Sequence, residues 1–303
     1  MQNILIAGGT GLVGIHLSRI LRGRGYNVMH LSRHQNLNAE FPAYAWEIEK
    51  EMLDETAFAQ ADYIINLAGS GIADKRWTDS RKRDIIESRT KSTLLLGNYL
   101  KNKPHHVKAY VSASAIGFYG ERGDELVNEE SPAGKGFLAE STQAWENAIE
   151  EVRKTGIRTV AVRTGVVLST EGGALEKMLI SFMFRVGVYF GKGNQWFSWI
   201  HIEDLCNIFV WAIEQQKAEG IYNAVAPHPL SNYDLMEAIS IAKGGGYLLI
   251  PTPALALRIT MGEMADVVLN STKVSSQKIV NQGFRFKFPE AVPTLKDLFQ
   301  RKV

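Results

Sequence analysis

The first residues able to do chemistry are glycines. Ile4-Leu5-Ile6-Ala7 runs straight into Gly8-Gly9-Thr10-Gly11-Leu12-Val13-Gly14, so an apolar strand ends in a turn where Gly8, Gly11 and Gly14 are spaced three apart. Glycines so placed let the backbone turn tightly and approach a pyrophosphate with no Cβ in the way. They also let the next helix pack on the strand, and that helix offers free N–H groups and the positive end of its dipole. Context supports this reading over an ordinary turn. Ile15, Leu17, Ile20 and Leu21 mark an amphipathic helix, and Tyr26-Asn27-Val28-Met29-His30-Leu31 supplies a second strand. A dinucleotide-binding turn is expected, with Gly8, Thr10, Gly11, Leu12 and Gly14 as its contacts.

The end of the second strand bears on which dinucleotide. A site for NAD places Asp or Glu there to hold the ribose hydroxyls, whereas the extra phosphate of NADP is repelled by a carboxylate and clasped by arginine. This chain has Ser32, Arg33 and His34 and no acid. NADP(H) is therefore the expected cofactor, with Arg33 as phosphate clamp and Ser32 as helper. The bland alternative is a surface arginine in a solvated loop.

An α/β fold, a doubly wound parallel sheet, would position these residues. Strands are expected at 3–7, 26–32, 63–67, 107–113 and 158–163, with helices near 13–24, 80–102 and 137–155, the last capped by Gly156. After Leu168 the rhythm changes to a glycine-rich excursion through Gly187, Gly191 and Gly193. Trp199-Ile200-His201 then returns to the sheet, ahead of a helix over 203–216 and the strand Ile221-Tyr222-Asn223-Ala224. The expected division is a cofactor domain of residues 1–168 plus 200–226 and a smaller, largely C-terminal substrate lobe of residues 169–199 plus 227–303.

Composition sets limits. A chain of 303 residues with 45% hydrophobic content can bury a large core. The 34 Lys and Arg nearly balance the 32 Asp and Glu, so nothing points to nucleic acid or an anionic membrane. The single Cys206 excludes an internal disulfide framework. No apolar run is long enough to span a bilayer, and the first strand begins too early for a secretion signal, so a cytoplasmic location is expected.

Several stretches together carry a resemblance: the glycine turn, Asn66-Leu67-Ala68-Gly69, Ser112-Ala113-Ser114-Ala115 ahead of Tyr119-Gly120, Arg163-Thr164-Gly165, and Trp199-Ile200-His201-Ile202-Glu203-Asp204. They resemble the extended short-chain dehydrogenase/reductases, which have the NAD(P)-binding Rossmann fold. Within these the chain is similar to the atypical epimerase family of nucleoside-diphosphate-sugar epimerase-like proteins. That narrower likeness rests on Ala73-Asp74-Lys75-Arg76-Trp77-Thr78, Phe137-Leu138-Ala139-Glu140 with Trp145-Glu146, Gly193-Asn194-Gln195-Trp196 and Gly283-Phe284-Arg285-Phe286. The resemblance implies Leu67, Ala68 and Gly69 as further cofactor contacts.

It also implies a Tyr-x-x-x-Lys pair, the tyrosine exchanging a proton at the substrate oxygen and the lysine lowering its pKa. Aligning Glu146 with the family's glutamate puts Leu138 at the tyrosine position and Thr142 at the lysine position. Tyr99 and Lys103 match in spacing only and read as a solvated helix end. Ser114 stands where the family's serine bonds a substrate oxygen, and Tyr119 is the first choice for a substitute acid. Its alternative is an aromatic packed under the loop. Glu140 is a base candidate or, alternatively, ordinary dipole complementation in the first turn of a helix.

Arg76 and Trp77, Gln195 and Trp196, and Arg163 would suit an anionic substrate such as a nucleotide sugar; the competing account has the tryptophans joining the two lobes. No metal site is expected, because His201 has no second histidine nearby. Asp204 is expected to cap or anchor the helix beginning there. The expected activity is redox or epimerase chemistry at a carbinol or carbonyl carbon. The alternative is a non-catalytic NADP(H)-binding sensor or interaction module. A homodimer through the two long helices is common in such proteins and demanded by nothing in this chain.

Overall fold

The computed structural model describes residues 1–300. Side-chain alternation along β1 (Asn3–Ala7) decides how the sheet is covered, because successive residues of a strand face opposite ways. Ile4 and Ile6 join the cluster holding Leu17 and Leu21 of α1 (Leu12–Gly23), while Leu5 and Ala7 join the cluster on the other face. From α1 the chain passes through β2 (Asn27–Ser32), β3 (Ala43–Glu47), β4 (Met52–Leu53) and the short α2 (Glu55–Ala59). It then crosses to β5 (Tyr63–Asn66), α3 (Asp79–Asn102), β6 (Ala109–Ala115), β7 (Leu126–Val127), α4 (Phe137–Arg153) and β8 (Arg158–Thr164).

Next come β9 (Val166–Leu168), α5 (Gly173–Phe182), β10 (Val186–Phe190), β11 (Trp196–Phe197), β12 (Trp199–His201), α6 (Ile202–Glu214) and β13 (Gly220–Ala224). The chain closes with β14 (Leu230–Ser231), α7 (Asn232–Ala242), β15 (Leu248–Thr252), α8 (Ala254–Met261), α9 (Asp266–Leu269), β16 (Lys273–Val274), α10 (Gln277–Asn281) and α11 (Ala291–Gln300).

Eight strands form the main sheet in the order β13-β8-β6-β5-β1-β2-β3-β4, and every pairing in it is parallel except β3 with β4. Helices α1 and α6 cover one face, α3 and α4 the other. The chain builds outward from β1 through β2 and β3, then returns to build outward from β5 in the opposite direction. The crevice between β1 and β5 is therefore the switch point where doubly wound sheets bind ligands.

The sheet agrees with the doubly wound expectation; β3, which had no counterpart there, adds to its β2 side. The outer edge of β13 is blunted by side chains: Lys278 Nζ donates to the Ile221 carbonyl at 2.7 Å, and Glu129 Oε1 accepts from the Asn223 N–H at 2.8 Å. His201, rather than Asp204, caps α6, its Nδ1 accepting from the Glu203 N–H at 2.9 Å. Asp204 instead accepts the N–H groups of Lys287 and Phe288, at 2.9 Å each, and so anchors the C-terminal segment. Among the described residues no helix is long and apolar enough to cross a membrane.

Candidate functional site

The glycine turn sits at the switch point. Ala7 lies opposite Asn66, and the Leu67 N–H donates to the Ala7 carbonyl at 2.8 Å. Gly8 follows with a left-handed φ of 75°, and a Cβ on it would lie 2.8 Å from the Leu67 carbonyl carbon. At Gly14 a Cβ would come 2.5 Å from the Gly9 oxygen, so the start of α1 rests directly on the turn. The first intrahelical bond runs from the Ile15 N–H to the Gly11 carbonyl at 2.9 Å, leaving the N–H groups of Leu12, Val13 and Gly14 ahead of it. No side chain caps Gly11, and the first turn carries no acid. This cradle has the shape and the donors to hold a pyrophosphate. His30 packs beneath Gly9 and contacts Ser18 Oγ through Nε2 at 2.7 Å; burial lowers its pKa to about 4.

Thr10 is exposed on the turn. Ser32 ends β2 with its Oγ accepting from the His34 N–H at 3.4 Å. Arg33 is exposed and, with Trp46, Ile48, Ser70 and Ser88, lines a cavity of about 520 Å³. Four acids line it as well: Glu47 pairs with Lys50, Glu49 and Glu87 pair with Lys91, and Asp84 is the fourth. Among the described residues no carboxylate lies within 4.0 Å of the Arg33 guanidinium. Ala68 donates its N–H to Asn66 Oδ1 at 3.1 Å, and Gly69 passes against Arg89, where a Cβ would lie 3.0 Å from the guanidinium carbon. The turn stands at the carboxyl ends of β1 and β5, and Arg33 follows the carboxyl end of the neighbouring β2, with Ser70 of the segment after β5 lining the same cavity as Arg33.

Farther along the carboxyl edge lies a mainly apolar cleft of about 260 Å³. Ala115, Ile116, Gly117, Leu138 and Thr142 form one side, Trp196, Asp266, Val267 and Asn270 the other. Leu138 and Thr142 therefore line the cleft themselves, and the Thr142 hydroxyl is engaged with the Leu138 carbonyl at 2.8 Å.

Tyr119 is not in that cleft. It is fully buried, its phenol donating to Asn223 Oδ1 at 2.7 Å and accepting from Arg163 Nη1 at 2.9 Å. Burial pushes the phenol above its usual range against the pull of the Arg163 charge. Of its two readings, the structure shows the packed aromatic. Arg163 is turned inward as well: it grips Glu146 through Nε at 2.8 Å and Nη2 at 2.7 Å, its guanidinium lies 3.5 Å from the Phe118 ring centroid, and it is 2% exposed. A buried fork already matched to a carboxylate, and absent from the cleft lining, is not presented to a substrate, which corrects its expected substrate role. Ser114 donates to the same Glu146 at 2.6 Å.

The remaining residues divide between surface and interior. Glu140 is exposed on the first turn of α4. Arg76 is exposed, whereas Trp77 is buried, donating to the Ile72 carbonyl at 2.8 Å and packing on Phe137. Gln195 is buried and donates to the carbonyls of Phe190 and Val268, which corrects its expected substrate contact to a structural one. Trp196 lines the cleft while its Nε1 donates to Asp124 at 2.7 Å. The sequence reading missed Arg81 and Arg89 of α3, which donate to the carbonyls of Gly71 and Ser70 and so hold the strap after β5. Their position on the Ile85 face of α3 was the available signal.

A family model described as the NAD dependent epimerase/dehydratase family matches residues 4–224. The chain belongs to this family. A second model, described as a domain of unknown function (DUF1731), matches residues 252–298. The mouse epimerase family protein SDR39U1 is 32% identical over 301 residues, covering 98% of this chain and 99% of that one. The crystal structure of human epimerase family protein SDR39U1 with NADPH is similar at a TM-score of 0.88 and 30% identity, covering 99% of this chain and all of that one. A nucleoside-diphosphate sugar epimerase from Corynebacterium glutamicum is 32% identical at a TM-score of 0.79, covering 98% of this family member and 58% of that longer chain.

Proposed function

We propose that this epimerase-family protein binds NADP(H) along the crevice between β1 and β5 and acts as an oxidoreductase or epimerase. Its target would be a carbinol or carbonyl carbon of a small molecule, with nucleotide sugars as the first class to try. The observation carrying the reading is Arg33, with no carboxylate among the described residues within 4.0 Å, just past the end of β2, where an NAD site would hold an acid. The human relative crystallised with NADPH supports it. Gly8, Gly11 and Gly14 with the N–H groups of Leu12 and Val13 would hold the pyrophosphate; Thr10, Leu67, Ala68 and Gly69 would flank it, and Ser32 and Arg33 would hold the extra phosphate. The cofactor, when bound, supplies hydride. The protein contributes orientation and a cleft whose apolar walls exclude water.

A second reading has its own observation. Leu138 and Thr142 give the cleft no proton donor of the usual kind, and Tyr119 is committed elsewhere. That favours a non-catalytic NADP(H)-binding sensor or interaction module. Hydride exchange decides: NADPH oxidised in the presence of a carbonyl or nucleotide-sugar substrate supports the enzyme. Tight NADPH binding with no exchange across a broad panel supports the module. Wild-type protein binding neither NADPH nor NADP⁺ overturns both.

A further inference from the structure

Away from the main sheet, β10 and β15 form a two-stranded parallel sheet of their own. Their register sets Val186 beside Leu248, Val188 beside Ile250 and Phe190 beside Thr252. Side chains alternate between the faces of a strand, so these six share one face. The opposite face is the covered one: Tyr189 and Leu249 pack against the main apolar cluster, and Gly187 lies against Phe182 of α5. Parallel strands are ordinarily covered on both faces and read as unbroken apolar runs, as these do. Here Leu248 and Ile250 are left exposed to water.

The apolar surface continues past both ends of this sheet. The Leu248 N–H donates to the Arg185 carbonyl at 3.1 Å, which brings the Met183 and Phe184 segment to the Leu248 end. From the Thr252 end α8 departs, carrying Leu255 and Ile259 one turn apart. Leu248, Met183, Phe184, Leu255 and Ile259 are each 66–80% exposed. With Ile180 and Ile250 they present on the order of 800 Å² of surface, which matches the roughly 800 Å² that each partner contributes to a stable dimer.

We propose that this face is a self-association surface, covered in solution by the same face of a second copy about a twofold axis. It is distinct from the long helices α3 and α4, the pairing elements considered from the sequence. The six residues of the sheet face are uncharged, so a copy meeting a copy buries no unpaired charge there. Strand addition at the outer edge of β15 is disfavoured. Since Leu248 turns its N–H toward β10, Leu249 and Pro251 turn outward, and Pro251 has no N–H to offer. A lipid surface fits less well, because a membrane-binding face presents a row of free cations. Of the four cations on residues 180–192 and 243–259, Arg185 lies over Tyr247 at 5.3 Å, Lys243 lies over Phe299 at 4.9 Å, and Arg258 pairs with Asp266 at 3.1 Å. Lys192 is the fourth.

Sedimentation equilibrium of the full chain from about 1 to 100 µM tests the proposal. Wild type should dimerise within that range. A twofold axis brings every substituted position into the interface twice, so Leu248→Glu and Ile259→Glu should each weaken the dimer about a hundredfold or more. Leu94→Glu, on the exposed side of α3, should leave it unchanged. Ile259 lies on the surface of α8, so its variant gives the reading independently of the strand, and native far-UV circular dichroism confirms that both variants fold. A monomer across the whole range overturns the proposal, as does a dimer indifferent to both substitutions or one lost in Leu94→Glu. Vesicles of phosphatidylcholine with phosphatidylglycerol form the second arm. Monomeric wild type that co-sediments with them, and Ile259→Glu that does not, would assign the face to lipid and overturn the proposal.

Discussion

At the scale of single residues, the buried polar groups around Tyr119 are satisfied by one another rather than by ligand. Removing the Tyr119 hydroxyl leaves Asn223 Oδ1 and Arg163 Nη1 each short of a partner, which should cost about 1–3 kcal/mol of stability. Tyr119→Phe should therefore lower the urea midpoint and leave NADPH affinity unchanged. Lost turnover with an unmoved midpoint would restore the phenol as an acid. His30 makes a pH prediction. Its folded pKa of about 4 lies below the usual histidine value of 6.5, so below that value the unfolded chain takes up a proton the folded protein refuses. Stability should fall as pH drops from about 6.5 to about 4, by an order of 3 kcal/mol in all. Urea midpoints between pH 7.5 and pH 4.5, at about half-unit steps, should show a flatter slope in His30→Phe; parallel slopes would contradict the assignment.

At the scale of elements, the join between β1 and α1 is the critical piece. Gly14→Ala would place a methyl 2.5 Å from the Gly9 oxygen and push the helix N-terminus off the turn. NADPH affinity should drop about tenfold or more while far-UV circular dichroism stays native; full affinity in this variant would show that the cradle does not hold the cofactor. This join was legible in the sequence because its signals are local: an apolar strand, glycines at fixed spacing and a helical stripe within two dozen residues. β3 was not, since Ala43-Tyr44-Ala45-Trp46-Glu47 mixes small, aromatic and charged residues and pairs in parallel with β2 on one side and antiparallel with the two-residue β4 on the other. The site was legible in the same measure. Gly8, Gly14 and Arg33 declare themselves by type and position. The bond from Tyr119 to Asn223 spans 104 positions and the Lys82–Glu263 pair 181, and no local pattern encodes such contacts.

At the scale of the molecule, one apolar cluster runs from Ile4 and Leu17 through Ile208 and Phe209 of α6 to Phe182, Leu235, Met236 and Leu295. Segments 169–199 and 227–300 share that core with residues 1–168 and 200–226. We propose that the division between them is one of ligand duty, cofactor on one side and substrate on the other, and not of folding unit. Calorimetry of the whole chain should then show one cooperative unfolding transition whose calorimetric and van't Hoff enthalpies agree; two resolved transitions would contradict the shared core. The central claim is electrostatic: a guanidinium just past the end of β2, with no carboxylate of the described residues within 4.0 Å, selects the coenzyme carrying the extra phosphate. Titrating wild type and Arg33→Gln with NADPH and with NADH tests it most directly. Wild type should favour NADPH by about tenfold or more, and Arg33→Gln should erase most of that preference by weakening NADPH alone. Equal or tighter binding of NADH by wild type would contradict the account.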